Sequence, residues 1–192
     1  MILYLHGFRS SPQSFKARLL TQKLEGGVAY ACPQLPASPA EAIALAQELV
    51  KEADPATLTI IGSSLGGYYA TWLAETLGCR AVVLNPAVYP ARELEKYVGT
   101  TTAWHTVTPF EFKQRYVDEL QQLTVARITR PERYFLIAAT GDEVLDWREM
   151  VTHYEAAQHR IIDGSDHGIS DFATYMDEVL AFCSLDLAGG LD

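Results

Sequence analysis

The sequence predicts a three-layer α/β fold, a mostly parallel sheet of about six strands with helices on both faces. Three observations predict it. Short apolar runs alternate with helical patterns along most of the chain. Most of those runs are continuously apolar instead of alternating, as strands covered on both faces require. The length, 192 residues of which 48% are hydrophobic, allows a single core that needs neither disulfides nor a structural metal. Residues 1–192 therefore read as one domain, without internal repeat, low-complexity tract or linker.

Strands are expected at Ile2–Leu5, 28–31, 58–61, 81–84, 133–139 and Gln158–Ile162. The first helix, 14–24, follows Ser-Ser-Pro. The second, 39–53, follows Ser38, a capping residue type, with Pro39 at the first helical position and Glu41 in the first turn. Leu65–Leu77 stops at Gly78, which tolerates the left-handed conformation of a helix end. Helices 147–157 and 170–182 follow, and 188–192 reads as a frayed tail.

About fifty residues separate the strand ending near Leu84 from that beginning near Arg133, too many for a simple crossover. They are rich in Tyr, Trp, Thr and Phe. Pro109 is expected to open a helix over 110–122, with Thr108 as its cap. Segment 88–123 reads as a small cap over a site, an ordinary crossover with a surface excursion being the alternative. Its aromatic residues Trp104, Phe110, Phe112 and Tyr116 either line a tunnel or hold the cap down.

Composition excludes several function classes. The net charge is −9 and the basic residues are scattered, which argues against a nucleic-acid partner. Cys32, Cys79 and Cys183 are odd in number and far apart, so neither a zinc ribbon nor a dithiol motif is available. Cys79 and Cys183 lie in apolar stretches and read as small buried side chains. No H-E-x-x-H pattern occurs, and neither metal nor cofactor is expected. Residues 1–5 are too short for a signal-peptide core and lack a basic leader. No apolar stretch approaches the roughly 18 residues that span a bilayer. A cytoplasmic protein without a membrane partner is expected; its oligomeric state stays open.

The strongest local signal is Gly62-Ser63-Ser64-Leu65-Gly66, a G-x-S-x-G pattern. It directly follows an apolar strand and opens a helix, the setting of a nucleophile elbow. Ser64 then occupies a strained turn with its hydroxyl clear of the backbone, and the flanking glycines avoid collisions with neighbouring elements. Ser63 fits that register less well. A serine hydroxyl needs an adjacent base. His167, in the small-residue loop Gly164-Ser165-Asp166-His167-Gly168 after the last strand, is the candidate. His153 and His159 read as surface or packing residues, and His105, in the segment over the site, reads either as a solvated loop histidine or as a substrate contact. The base in turn needs a carboxylate to hold its tautomer. Asp142 follows the strand at 133–139, at a strand end where catalytic groups gather; Glu143, Asp146, Asp163 and Asp166 are its rivals. The order Ser64, Asp142, His167 is that of α/β-hydrolase triads.

An oxyanion also needs donors. The backbone N–H of Leu65 and that of Phe8, in the loop His6-Gly7-Phe8-Arg9-Ser10-Ser11, are the candidates. His6, Gly7 and Arg9 are assigned to substrate binding, Arg9 with loop orientation or a plain surface arginine as its alternatives. Asn85 and Pro86 are assigned there too, expected to line the pocket at the end of the strand after the elbow.

Leu3-Tyr4-Leu5-His6-Gly7-Phe8-Arg9-Ser10-Ser11-Pro12, Gly62 through Ala70, Leu84-Asn85-Pro86-Ala87, Thr140 through Asp146 and Gly164-Ser165-Asp166-His167 together resemble the YqiA-type small bacterial esterases. The likeness runs from Met1 to about Phe182. It implies a compact α/β-hydrolase fold lacking the first strands of larger members. It also implies hydrolysis of small-molecule carboxylic esters or acyl thioesters, acyl-CoA included, without a cofactor. The triad carries over to Ser64, Asp142 and His167. The same triad also serves peptidases and amidases, and a ligand-binding protein on this scaffold that does not turn over is the alternative from a different class.

Overall fold

The computed structural model describes residues 1–102 and 109–183. The strands are β1 (Ile2–Leu5), β2 (Tyr30–Ala31), β3 (Thr59–Ser63), β4 (Arg80–Leu84), β5 (Gly99–Thr102), β6 (Pro109–Phe112), β7 (Tyr134–Ala139) and β8 (Gln158–Ile162). The helices are α1 (Phe15–Leu24), α2 (Pro39–Val50), α3 (Leu65–Leu77), α4 (Pro90–Leu94), α5 (Gln114–Gln122), α6 (Trp147–His153) and α7 (Met176–Phe182).

Six strands pair in parallel in the order β2-β1-β3-β4-β7-β8, so the expected sheet is present. Successive side chains of a strand point to opposite faces, which divides the core in two. Leu3, Leu5, Ile60, Val83 and Leu136 face α2, α3 and α5. Ile2, Tyr4, Ile61, Val82 and Phe135 face α1 and α7. Because both faces are covered, Tyr134–Ala139 is buried at every position. Cys79 and Cys183 are buried, as expected.

The chain leaves β1 for an edge on one side and returns to β3 on the other. The connections α1 and α3 consequently lie on opposite faces, and a crevice opens between the carboxyl ends of β1 and β3. Such a switch point is where open α/β sheets bind ligands.

Segment 88–123 departs from the expected pattern. Pro109 begins a strand, not a helix: β6 pairs antiparallel with β5, from Gly99 opposite Phe112 to Thr102 opposite Pro109. Proline is admissible at the first residue of an edge strand. The helix starts later, at Gln114, with Lys113 as its N-cap. The expected cap Thr108, together with Trp104, His105 and the tail 188–192, lies outside the described residues. The segment docks through α5: Tyr116, Val117 and Leu120 are buried in the core, and the Tyr68 hydroxyl donates to the Leu120 carbonyl at 2.7 Å.

Glu119 of α5 also reaches the N-terminus of α2. Its Oε2 accepts from the Ser38 hydroxyl at 2.6 Å and from the Ala40 N–H at 3.1 Å. Ser38 Oγ accepts in turn from the Glu41 N–H at 3.3 Å, the expected cap. Replacing Ser38 with alanine removes the cap and one partner of the part-buried Glu119 carboxylate. A loss of about 1–2 kcal/mol in unfolding free energy is expected, read from the urea midpoint; an unchanged midpoint would show that the cap contributes nothing.

Candidate active site

Ser64 sits between β3 and α3 with φ 56° and ψ −120°, a conformation that serine rarely adopts. Hydrogen bonds hold it there on both sides. Its N–H donates to the Leu84 carbonyl at 3.0 Å, and its carbonyl accepts from Gly67 at 2.9 Å and Ala87 at 3.1 Å. The turn is possible only because α3 lies almost on the sheet. A β-carbon on Gly62 would lie under 3.0 Å from backbone atoms of Gly66 and Gly67, and one on Gly66 equally close to the carbonyls of Leu5 and His6.

His167 Nε2 lies 3.0 Å from Ser64 Oγ, and its Nδ1 lies 2.8 Å from Asp142 Oδ2. The Asp142 side chain is fully buried. Its other oxygen accepts from the N–H groups of Val144 at 2.8 Å and Leu145 at 2.9 Å, which fixes its orientation. An ionised carboxylate only accepts, so Nδ1 carries the imidazole proton and the Nε2 lone pair faces the serine hydroxyl. The structure thus brings together the three side chains that the sequence singled out.

The rival carboxylates are occupied elsewhere. Asp146 caps α6 by accepting from the Arg148 N–H at 2.9 Å, and Asp163 accepts from the Thr140 hydroxyl at 3.3 Å. Asp166 accepts from the N–H of Ser170 at 2.9 Å and from its hydroxyl at 2.5 Å, which holds its carboxyl below the usual range. Glu143 accepts from the His167 backbone N–H at 2.9 Å. It orients the histidine's loop and not the ring.

Ser64, Leu65, Gly7, Phe8, Arg9 and His167 border a cavity of about 410 Å³. Leu65 is the first residue of α3, so its N–H has no partner within the helix. Gly7 brings backbone against the serine: a β-carbon there would lie 3.1 Å from Ser64 Cβ and 3.6 Å from Oγ. The Phe8 ring packs against Tyr97, with centroids 5.4 Å apart, and against Phe112, at 5.1 Å. Phe112 and Tyr116 are both buried and do not border the cavity, so they hold segment 88–123 down instead of lining a tunnel. Trp104 and the Phe110 ring lie outside what is described.

Three expected pocket residues are corrected. Asn85 is fully buried. Its Nδ2 donates to the carbonyls of Asp166 at 3.0 Å and His167 at 3.1 Å, while its Oδ1 accepts from the Ala139 N–H at 2.8 Å. A side chain so committed holds loops together, and it does not border the cavity. Pro86 is buried against Gly67, where any β-carbon would lie 2.7 Å from the proline ring. His6 is buried; its Nε2 accepts from the Leu35 N–H at 3.0 Å and its Nδ1 donates to the Gly7 carbonyl at 2.9 Å. It borders a separate space of about 200 Å³ on the far side of the Gly7–Ser10 loop.

Burial pushes the His6 imidazole below its ordinary value of 6.5. The unfolded chain then takes up that proton first as pH falls. Stability is expected to drop below about pH 6.5, by at most about 1.4 kcal/mol per pH unit from this residue. His6→Gln is expected to lose that part of the dependence when urea midpoints are compared between pH 7.5 and 5; equal slopes for the two proteins would refute the assignment.

Residues that the sequence did not single out also border the cavity: Lys16, Glu93, Lys96, Tyr97 and Leu145. Desolvation raises the Glu93 carboxyl above its usual value, against the opposing pull of Arg92. Nothing in their local sequence marks them as cavity residues, since each reaches the site through packing of α1, of α4 and the 3₁₀ turn Glu95–Tyr97 after it, or of the turn after β7.

Comparison with solved structures finds the same fold. Est1E from Butyrivibrio proteoclasticus, solved with ferulic acid bound, superposes with a TM-score of 0.73 at 15% identity, covering 98% of this chain and 89% of that one. A monoacylglycerol lipase from Paleococcus ferrophilus gives 0.70 at 16% identity, over 95% and 93% of the two chains. The fold is therefore that of the α/β-hydrolases. A UPF0227 protein of Yersinia enterocolitica is 25% identical over 195 residues, spanning 96% of this chain and 99% of the relative. The family described as Uncharacterised protein family (UPF0227) matches residues 1–184. No helix among the described residues is long and apolar enough to cross a membrane.

Proposed function

The chain belongs to UPF0227, the group to which its YqiA-type resemblance pointed, and from that footing we propose that it is a serine esterase. It hydrolyses carboxylic esters or acyl thioesters, acyl-CoA among them, with Ser64 as nucleophile, His167 as base and Asp142 as orienting acid. One observation carries the reading: the unbroken line from Ser64 through His167 to Asp142, with contacts of 3.0 and 2.8 Å, on the wall of a cavity. Esterase and lipase names among proteins of the same fold support it.

His167 takes the Ser64 proton as the hydroxyl oxygen attacks the carbonyl carbon. Asp142 stabilises the imidazolium that forms. Negative charge on the carbonyl oxygen is met by the N–H groups of Leu65 and Phe8, helped by the positive end of the α3 dipole. The intermediate collapses, the leaving alcohol or thiol takes the proton from His167, and an acyl-serine remains. Water activated by the same histidine then releases the acid. Segment 88–123 acts as a cap on the single domain, since Pro90, Leu94 and Tyr97 form one side of the cavity. The chemistry calls for no metal or cofactor, and the protein works in the cytoplasm on a small molecule. Arg9, on the cavity wall, contacts the substrate.

The test is the intact mass of the wild type and of Ser64→Ala after exposure to a fluorophosphonate. A single adduct on the wild type and none on the variant is expected. A folded wild type that takes no adduct would refute the reading.

A further inference from the structure

We propose that Lys16 is a positioning residue for the base: its ammonium group ties α1 to the loop carrying His167, and the reactivity of Ser64 depends on that tie. The inference rests on the triad reading above.

Lys16 is 8% exposed, an unusual burial for a lysine, and it borders the cavity that holds Ser64. Its Nζ donates to the Gly168 carbonyl, 152 residues along the chain. The two preceding carbonyls, of Asp166 and His167, are taken by Asn85. Three consecutive carbonyls around the histidine are thus held by two buried side chains, one from α1 and one from the end of β4. The loop needs such anchors. Ser165 and Ile169 have φ of 57° and 48°, so neither a helix nor a sheet ladder fixes the chain there. Yet the imidazole must meet Ser64 and Asp142 at once, and a misplacement of about 1 Å can cost about 10²-fold in rate.

Burying an ammonium is costly, and an apolar side chain would fill the space more cheaply. Burial draws the Lys16 amine down to about 8, against the opposing pull of Asp166 and Asp142. The other ionisable groups bordering the same cavity are Tyr4 from β1, Arg9 from the loop after it, Glu93, Lys96 and Tyr97 from the segment after β4, Glu143 from the turn after β7, and His167 itself. The tie consequently weakens from a charged to a neutral hydrogen bond near pH 8.

Lys16→Met and Lys16→Arg in the full chain test this, both checked by urea midpoint. The readouts are the rate of fluorophosphonate labelling against pH and the low-field proton resonance of His167 Nδ1. In the wild type, labelling is expected to slow above pH 8. Lys16→Met is expected to label about 10–100-fold more slowly at neutral pH, without the alkaline decline and with the resonance broadened. Lys16→Arg, which stays charged, is expected to recover most of the rate and to lose the decline. Wild-type labelling and an intact resonance in Lys16→Met would overturn the proposal. So would a defect confined to KM for esters bearing a carboxylate, which would make Lys16 a substrate contact. A wild type that never labels refutes the hydrolase reading instead, and the resonance still decides whether Lys16 orders the histidine.

Discussion

Ser64→Ala is expected to lower hydrolysis of an activated ester by about 10⁵–10⁶-fold, since removing the nucleophile of such a triad costs as much as removing all of it. What remains comes from the oxyanion donors and from binding. The fold is expected to survive. Among the described residues the hydroxyl's only hydrogen bond is to His167, and the bonds that hold the elbow use the backbone N–H and carbonyl of residue 64, which alanine keeps. Serine and alanine also carry the same β-carbon into the φ of 56°, so the local strain is unchanged. The measurements are kcat on p-nitrophenyl butyrate and the urea midpoint. More than about 1% residual turnover in a correctly folded variant would show that another group attacks the carbonyl.

Gly66→Ala is expected to fail at an earlier stage, by destabilising the fold by more than about 4 kcal/mol. The added β-carbon would press on the Leu5 and His6 carbonyls, which are backbone and cannot turn aside as a side chain can. Relief requires α3 to rise from β1. That movement would separate Ser64 from the Gly7 loop and break the pairing of Leu5 with Gly62. Gly26→Ala is the control. Gly26 has φ 79° but nothing within 4 Å of the added atom, so only the left-handed strain of about 1–2 kcal/mol is expected. Denaturation midpoints compare the two. Similar losses would mean that crowding at residue 66 is relieved by a small shift, and that close helix–sheet contact is not what shapes the elbow.

The elbow was legible because its requirements are local: an apolar strand, a strained turn and glycines where backbones touch all lie within a few residues. The bounds of β1, α3 and β8 were legible for the same reason. Other elements ended earlier than expected. The helix read over 39–53 stops at Val50, and that over 147–157 stops at His153. The helix read over 170–182 begins as a short 3₁₀ turn, Phe172–Thr174, because Ile169 at φ 48° and the Asp166 carboxylate on Ser170 hold the chain in a turn first. The β5–β6 hairpin went unread. Pro109 is equally suited to the first turn of a helix and to the start of an edge strand, and only its pairing with Thr102 distinguishes them.

By itself the sequence determined the α/β layering, the strand–turn–helix around Ser64 and the residue types able to form a triad, since these follow from local patterning and backbone sterics. Tertiary structure alone decided which polar side chains face the cavity and which serve the backbone. Asn85, His6 and Lys16 each sit near a strand end or helix start, where a ligand contact is an equally good reading. Their partners lie 82, 29 and 152 residues away, at His167, Leu35 and Gly168. A buried polar group must find a hydrogen bond wherever the fold brings one, and no local pattern encodes a partner that distant.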